Sequence, residues 1–253
     1  MTTRHLSWTA LIGLVCALCW SAAQATQVQV AVAANFSAPM RQIAEAFEKD
    51  TGHKPVLAFG ATGAFHAQIR NGAPFDVFLA ADATTPGKVE ADGLGVKGSR
   101  FVYATGRLVL WSAQPGLVDA QGAVLKGPAI AKLAIADPKL APYGLAAEQA
   151  LARLGLLETL RPRFVLGTNI AQAHQFVASG NATAGFVALS QVYANGALTG
   201  GSGWVVPRQL HEPIQQEAQL LARGADNAAA KALLSYLRGD IARHIMRASG
   251  YEF

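Results

Sequence analysis

Cysteine is almost missing from this chain, and both copies, Cys16 and Cys19, sit ahead of residue 26. The remainder therefore has no disulfide framework, no thiol nucleophile and no Cys-based metal site. Charge is thin as well: 15% Asp, Glu, Lys and Arg against 51% hydrophobic residues, with no run of like charge and no basic–aromatic interleaving. A nucleic-acid partner is not expected from that pattern. The six histidines, His5, His53, His66, His174, His211 and His244, include no i, i+4 pair, and Glu212 beside His211 is their only acidic neighbour. A zinc or iron site is not expected either. The chain lacks a G-x-x-x-x-G-K-[ST] phosphate loop and a G-x-S-x-G elbow, and Ser190 has no small flanking residues of that kind. Asp76, Asp82 and Asp137 stand singly at expected strand ends, where cap and sheet-edge hydrogen bonds are the default role. No catalytic residue is assigned.

What is present begins with a leader. Met1 to Ala25 has a basic start at Arg4 and His5, an apolar stretch from Trp8 to Trp20, and a small-x-small ending at Ala23-Gln24-Ala25. This reads as a signal peptide cleaved after Ala25. The apolar stretch is shorter than the roughly 20 residues of a membrane span. Val15 and Leu18 before the two cysteines argue against a lipoprotein. A cysteine-free exported chain suits a bacterial periplasm better than a disulfide-stapled extracellular module. Without Arg4 the formal charge falls from +5 to +4, a mildly basic balance compatible with steering anions.

Strand and helix signals then alternate. Val28–Ala34, Val56–Phe59 and Val77–Ala80 read as buried strands, separated by helices over Ala38–Lys49 and Ala64–Arg70 and followed by one over Thr85–Ala91. Phe101–Tyr103 and Leu108–Trp111 are β-rich. A second set follows: strands Lys132–Ala136, Phe164–Leu166 and Ala184–Val187, with helices Leu145–Leu154 and Ile170–Ser179. Strands at Trp204–Val206 and Ile214–Leu221 and helices at Ala228–Leu237 and Asp240–Ala248 close the chain, and Gly196–Gly203 reads as a glycine-rich loop. The pattern predicts an α/β protein of two closely packed lobes, each a mostly parallel sheet flanked by helices, with a shared cleft at the carboxyl ends of the strands.

Four loops share one grammar, an apolar run, then small or amide residues, then a helix start: Ala34-Asn35-Phe36-Ser37, Gly60-Ala61-Thr62-Gly63, Ala141-Pro142-Tyr143-Gly144 and Thr168-Asn169-Ile170. Each offers backbone N–H groups at the positive end of a helix, and none contains Lys, Arg, Asp or Glu. Together they suit a small oxyanion held by neutral donors. Taken singly they also have plainer readings: Asn35 as a turn residue, Thr62 as a helix N-cap, Tyr143 as part of a structural turn.

The same residues carry a resemblance. Ala33-Ala34-Asn35-Phe36-Ser37, Gly60-Ala61-Thr62-Gly63, Gly72-Ala73-Pro74-Phe75-Asp76-Val77-Phe78, Ala80-Ala81-Asp82, Ala141-Pro142-Tyr143-Gly144, Asn169-Ile170, Gly185-Phe186-Val187 and Ser249-Gly250-Tyr251 resemble, in order, the periplasmic molybdate-binding proteins of ModA type, in their Asn-bearing branch. The resemblance implies a type II binding protein with lobes at 26–106 plus 207–253 and at 107–206. It implies capture of molybdate or tungstate, with the metal present only within the oxyanion and no cofactor, and delivery by a monomer to an ABC importer permease. It matches Asn35, Thr62, Tyr143 and Ile170 to ligand positions, with Ala34, Phe36, Gly63 and Asn169 as backbone or surrounding contributors. Ala188 stands where many relatives carry Tyr and supplies no phenol. Sulfate or chromate binding, and a secreted hydrolase, are the alternative readings.

Overall fold

The structure is a computed structural model that describes residues 26–253; the leader, its cleavage position and both cysteines lie outside them. In chain order the strands are β1 (Gln27–Ala33), β2 (Lys54–Gly60), β3 (Val77–Leu79), β4 (Phe101–Gly106), β5 (Leu108–Ser112), β6 (Leu133–Ala136), β7 (Phe164–Gly167), β8 (Ala184–Ala188), β9 (Tyr193–Ala194), β10 (Ala197–Leu198), β11 (Ser202–Val205) and β12 (Ile214–Leu220). The helices are α1 (Ser37–Thr51), α2 (Thr62–Arg70), α3 (Thr84–Ala91), α4 (Pro142–Arg153), α5 (Leu157–Leu160), α6 (Ile170–Ala178), α7 (Ala228–Tyr236) and α8 (Asp240–Ala248).

Two five-stranded sheets result, ordered β2-β1-β3-β12-β4 and β11-β5-β8-β6-β7. The chain passes from the first to the second within the single residue Arg107, between β4 and β5, and returns after β11. Both sheets are mixed and, as expected, mostly parallel, with four of five strands in each running one way and one strand reversed. β1 runs parallel to β2 and β3, and β6 to β7 and β8, whereas β12 is antiparallel to β3 and β4, and β5 to β8 and β11. The reversed strands, β5 and β12, are those that follow the two crossings, from β4 and from β11.

β1 explains why the first sheet is covered on both sides. Val28, Val30 and Val32 belong to one apolar cluster with Met40, Ile43 and Phe47 of α1, while Ala31 on the opposite face joins Phe65, Ile69 and Phe78. A strand buried on both faces reads as a continuous apolar run, as Val28–Ala34 does. The second sheet has its own cluster, which includes Leu108, Leu110, Ile135, Leu151 and Phe186.

The three carboxylates at strand ends take the roles expected of them. Asp76 accepts from the Gln29 N–H at 2.8 Å, Asp82 from the Thr85 N–H at 2.6 Å at the start of α3, and Asp137 from the Lys139 N–H at 2.9 Å. Two features differ from the sequence reading. The Gly196–Gly203 segment is not all loop, because β9 and β10 form a small antiparallel hairpin and β11 starts at Ser202. Asn195 and Gly196 connect that hairpin with positive φ values of 50° and 94°, as a tight two-residue turn requires. Helix α5 is only four residues long, too short for an amphipathic repeat to register.

Candidate functional site

The four loops converge. Asn35 from the turn after β1, Thr62 at the first position of α2, Tyr143 in the first turn of α4 and Ile170 at the first position of α6 line one small cavity with Ala34, Gly60 and Ala81. Its empty volume, mouth included, is about 190 Å³. No charged side chain lines it. A larger depression, about 1130 Å³ with its open mouth included, lies elsewhere, beside Asp137, Glu148, Lys139 and Arg161. Its two carboxylates are balanced by two cations, and none of the four loops contributes a residue to its lining.

Helix geometry supplies the first donors. The opening N–H groups of a helix have no partner within it. In α6 the Asn169 side chain accepts from the Ala171 and Gln172 N–H groups at 2.9 and 3.1 Å, and the Ile170 N–H is left over. Asn169 is thus a helix cap that orients the loop and does not line the cavity. The Ile170 carbonyl is held from the other side by Gln191 Nε2 at 3.2 Å, and Gln191 Oε1 accepts from the Ala188 N–H at 2.9 Å. Where Ala188 has no phenol to offer, Gln191 braces this loop.

Side chains supply the rest. Thr62 is not an N-cap, since Ala61 holds that position and makes no side-chain cap bond. Its Oγ1 accepts from the Ala81 N–H at 3.0 Å, so the hydroxyl hydrogen remains free to donate. Tyr143 Oη accepts from Gln216 Nε2 at 3.1 Å, which likewise leaves the phenol hydrogen to donate. Burial pushes the Tyr143 phenol well above its ordinary pKa, with Tyr251 and Tyr103 adding to the rise, so it keeps that hydrogen at neutral pH.

Asn35 lines the cavity through its backbone. Its side chain is engaged within the protein, both amide hydrogens going to Gln216 Oε1 at 2.8 Å and Tyr251 Oη at 2.9 Å. Asn35 lines the cavity with its own N–H as the remaining donor, while its carbonyl oxygen accepts from Ser190 Oγ at 2.7 Å and Tyr251 Oη at 3.0 Å. Phe36 is fully buried outside the cavity, its ring 4.9 Å from that of Tyr103 and edge-on to Tyr251 at 5.4 Å. Gly63 is also outside. Its N–H donates to the Leu140 carbonyl at 2.9 Å, from the first-sheet side of the cleft to the second. A methyl group there would lie 3.1 Å from that oxygen, so glycine permits the close approach.

Sequence reasoning missed four residues behind the cavity: Gln216, Tyr103, Tyr251 and Ser190. Tyr103 Oη donates to Gln216 Oε1 at 2.8 Å, and Tyr251 reaches Ser190 at 3.1 Å. The Glu252 N–H and carbonyl pair with Thr105 of β4, which fastens the chain end and sets Tyr251 in place. A signal existed in β12, where Ile214, Gln216, Ala218 and Leu220 share one strand face and a buried glutamine interrupts three apolar residues.

Comparison with known proteins gives the chain its relatives. The family model described as bacterial extracellular solute-binding protein matches residues 28–252. The chain is 62% identical over 241 residues to the molybdate-binding protein ModA of Azotobacter vinelandii, covering 95% of this chain and 96% of that one. It is 52% identical over 229 residues to the Rhodobacter capsulatus protein of the same name, covering 90% and 89%. Among solved structures, an Azotobacter vinelandii periplasmic molybdate-binding protein superposes with a TM-score of 0.87 at 44% identity, covering 89% of this chain and 99% of that chain.

Proposed function

We propose, for a chain that belongs to the bacterial extracellular solute-binding proteins and, within them, to the ModA-type molybdate-binding proteins, that the four-loop cavity captures molybdate in the periplasm for delivery to an ABC importer. The observation that carries this reading is a cavity between the two sheets with donors from four loops and no charged side chain. Tungstate, which presents the same tetrahedral array of acceptor oxygens, is a second ligand. The anion is bound unchanged, since the described cavity lacks a nucleophile paired with a base. The protein acts as a monomer after losing residues 1–25, with lobes at 26–106 plus 207–253 and at 107–206 that hinge at Arg107 and after β11.

Contacts from both lobes to one anion exist only when the cleft is closed, so the ligand favours closure by its differential affinity. Moving such an equilibrium from mostly open to mostly closed takes about 5.5 kcal/mol of preference. Calorimetric titration with molybdate, tungstate and sulfate, with solution scattering on the same samples, is the test. Stoichiometric molybdate binding with a smaller radius of gyration is expected; absence of molybdate binding overturns the reading. The Gly63–Leu140 bond gives closure its own signature. Gly63→Ala is expected to weaken molybdate binding several-fold, because the crowded methyl group strains the closed form alone, while the melting temperature of the ligand-free protein stays within a few degrees of wild type. A wild-type affinity in this variant would remove the bond from the closing step.

A further inference from the structure

Gln216 is fully buried in the central strands of the first sheet and bonds to residues of three other elements, yet it does not line the cavity. The register of β12 against β4 shifts opposite Gln216 and Glu217, where Tyr103 is the extra residue of β4, and such a bulge re-aims the side chain of the strand that carries it. Space for that side chain comes from Gly106, where a methyl group would lie 2.0 Å from Tyr143 Oη and 2.6 Å from Gln216 Nε2. Gln216 Oε1 takes hydrogens from Asn35 and Tyr103, each at 2.8 Å, and Nε2 gives one to Tyr143 at 3.1 Å. Two of these partners, Asn35 and Tyr143, belong to the loops that line the cavity, one on each side of the cleft.

We infer that Gln216 is a positioning residue for the oxyanion site: without touching the anion, it decides which hydrogens of Asn35 and Tyr143 face the cavity. This rests on the molybdate reading above. With Nε2 on Tyr143, the phenol hydrogen is released toward the cavity and the Asn35 amide hydrogens are held back. An amide turned end for end occupies the same space. In that second setting Nε2 donates to Asn35 and Tyr103, Oε1 accepts the Tyr143 hydrogen, and the Asn35 amide group is freed to turn its hydrogens outward. The neighbours accommodate both settings, because Tyr103 Oη also lies 3.3 Å from the Ala80 carbonyl and Tyr251 Oη bonds the Asn35 side chain. One amide thus links the donors on the two sides of the cleft.

A carboxylate in its place breaks this logic, because it only accepts. Gln216→Glu in its charged form holds the Asn35 and Tyr143 hydrogens inward together and adds a negative charge behind an anion site. In its protonated form one donor is restored. The titratable neighbours are the phenols of Tyr103, Tyr143 and Tyr251. Next along the strand, Glu217 pairs with Arg100, and at the chain end Glu252 pairs with Arg107. Burial pushes the Tyr251 phenol up to about 12 and the other two well above their ordinary value, so all three stay neutral below about pH 9.

The test is calorimetric titration of the full protein with molybdate from about pH 6 to about pH 9, on wild type, Gln216→Glu and Gln216→Met. Wild type is expected to be flat. Gln216→Glu is expected to bind at least about tenfold more weakly at the upper end and to regain affinity as pH falls, and Gln216→Met to be weaker with no slope. Wild-type affinity in both variants overturns the inference. Should Gln216→Glu fail to fold, judged by its melting curve, a double-mutant cycle of Gln216→Met with Tyr143→Phe decides. Coupled losses support positioning, and losses that multiply independently refute it. Failure of the wild type to bind molybdate would instead strike the functional reading, so the two failures are distinguishable.

Discussion

Thr62→Ala is expected to weaken molybdate binding by about 1.5–3 kcal/mol, roughly 10- to 150-fold, the range for a hydrogen bond to a charged group. The hydroxyl is buried, its Oγ1 already accepts from the Ala81 N–H, and its one hydrogen has nowhere better to go than an anion in the cavity. The substitution removes that donor and leaves the Ala81 N–H without its acceptor, so a stability loss of about 1 kcal/mol should accompany it. Thr62→Ser keeps both bonds and should bind within a few-fold of wild type. Calorimetry on the three proteins, with melting curves, separates the terms. Full affinity in Thr62→Ala would reduce Thr62 to a structural support for Ala81. Asn35→Ala should cost affinity by a different route, by withdrawing a partner from Gln216 and Tyr251, and is expected to lower the melting temperature more than Thr62→Ala does.

How much of this was legible in the sequence follows from the range of each signal. Elements whose burial is periodic were read nearly to their ends: α1 through Met40, Ile43 and Phe47, and β1 through its continuous apolar run. Which strand of each sheet is reversed was not legible, because β5 and β12 have compositions that suit either direction and only the crossings fix it. At the site, residues next to a helix start could be found because the loop grammar is local. Thr62, Tyr143 and Ile170 required no partner to be recognised as candidates. Gln216 and Tyr251 could not be found that way, since their bonds to Asn35 span 181 and 216 residues. The same distance in sequence hides the partners of the Asn35 side chain. A lone asparagine in a turn advertises a donor, and only the folded chain reveals that both hydrogens are already taken.

The selectivity of the cavity is the second large expected effect, and it turns on protons. Near neutral pH phosphate keeps at least one O–H, which must find an acceptor, whereas molybdate, tungstate and sulfate carry none and are best met by donors alone. The cavity presents the Thr62 and Tyr143 hydroxyls and N–H groups at helix starts, and no carboxylate lines it. The tyrosine cannot become an anion to accept that proton, since burial holds its phenol well above its ordinary pKa. A phosphate O–H left facing donors costs about 1–3 kcal/mol, so phosphate is expected to bind at least about tenfold more weakly than molybdate. Sulfate satisfies the same donors but is smaller than molybdate, and on the molybdate reading donors closed around the wider anion meet sulfate with longer bonds, where hydrogen bonding weakens steeply. The expected order is molybdate and tungstate together, sulfate far behind, and phosphate undetectable by direct titration and by competition against molybdate. Phosphate binding within a factor of about ten of molybdate would mean that an acceptor faces the anion, and the donor-only description of the cavity would fall.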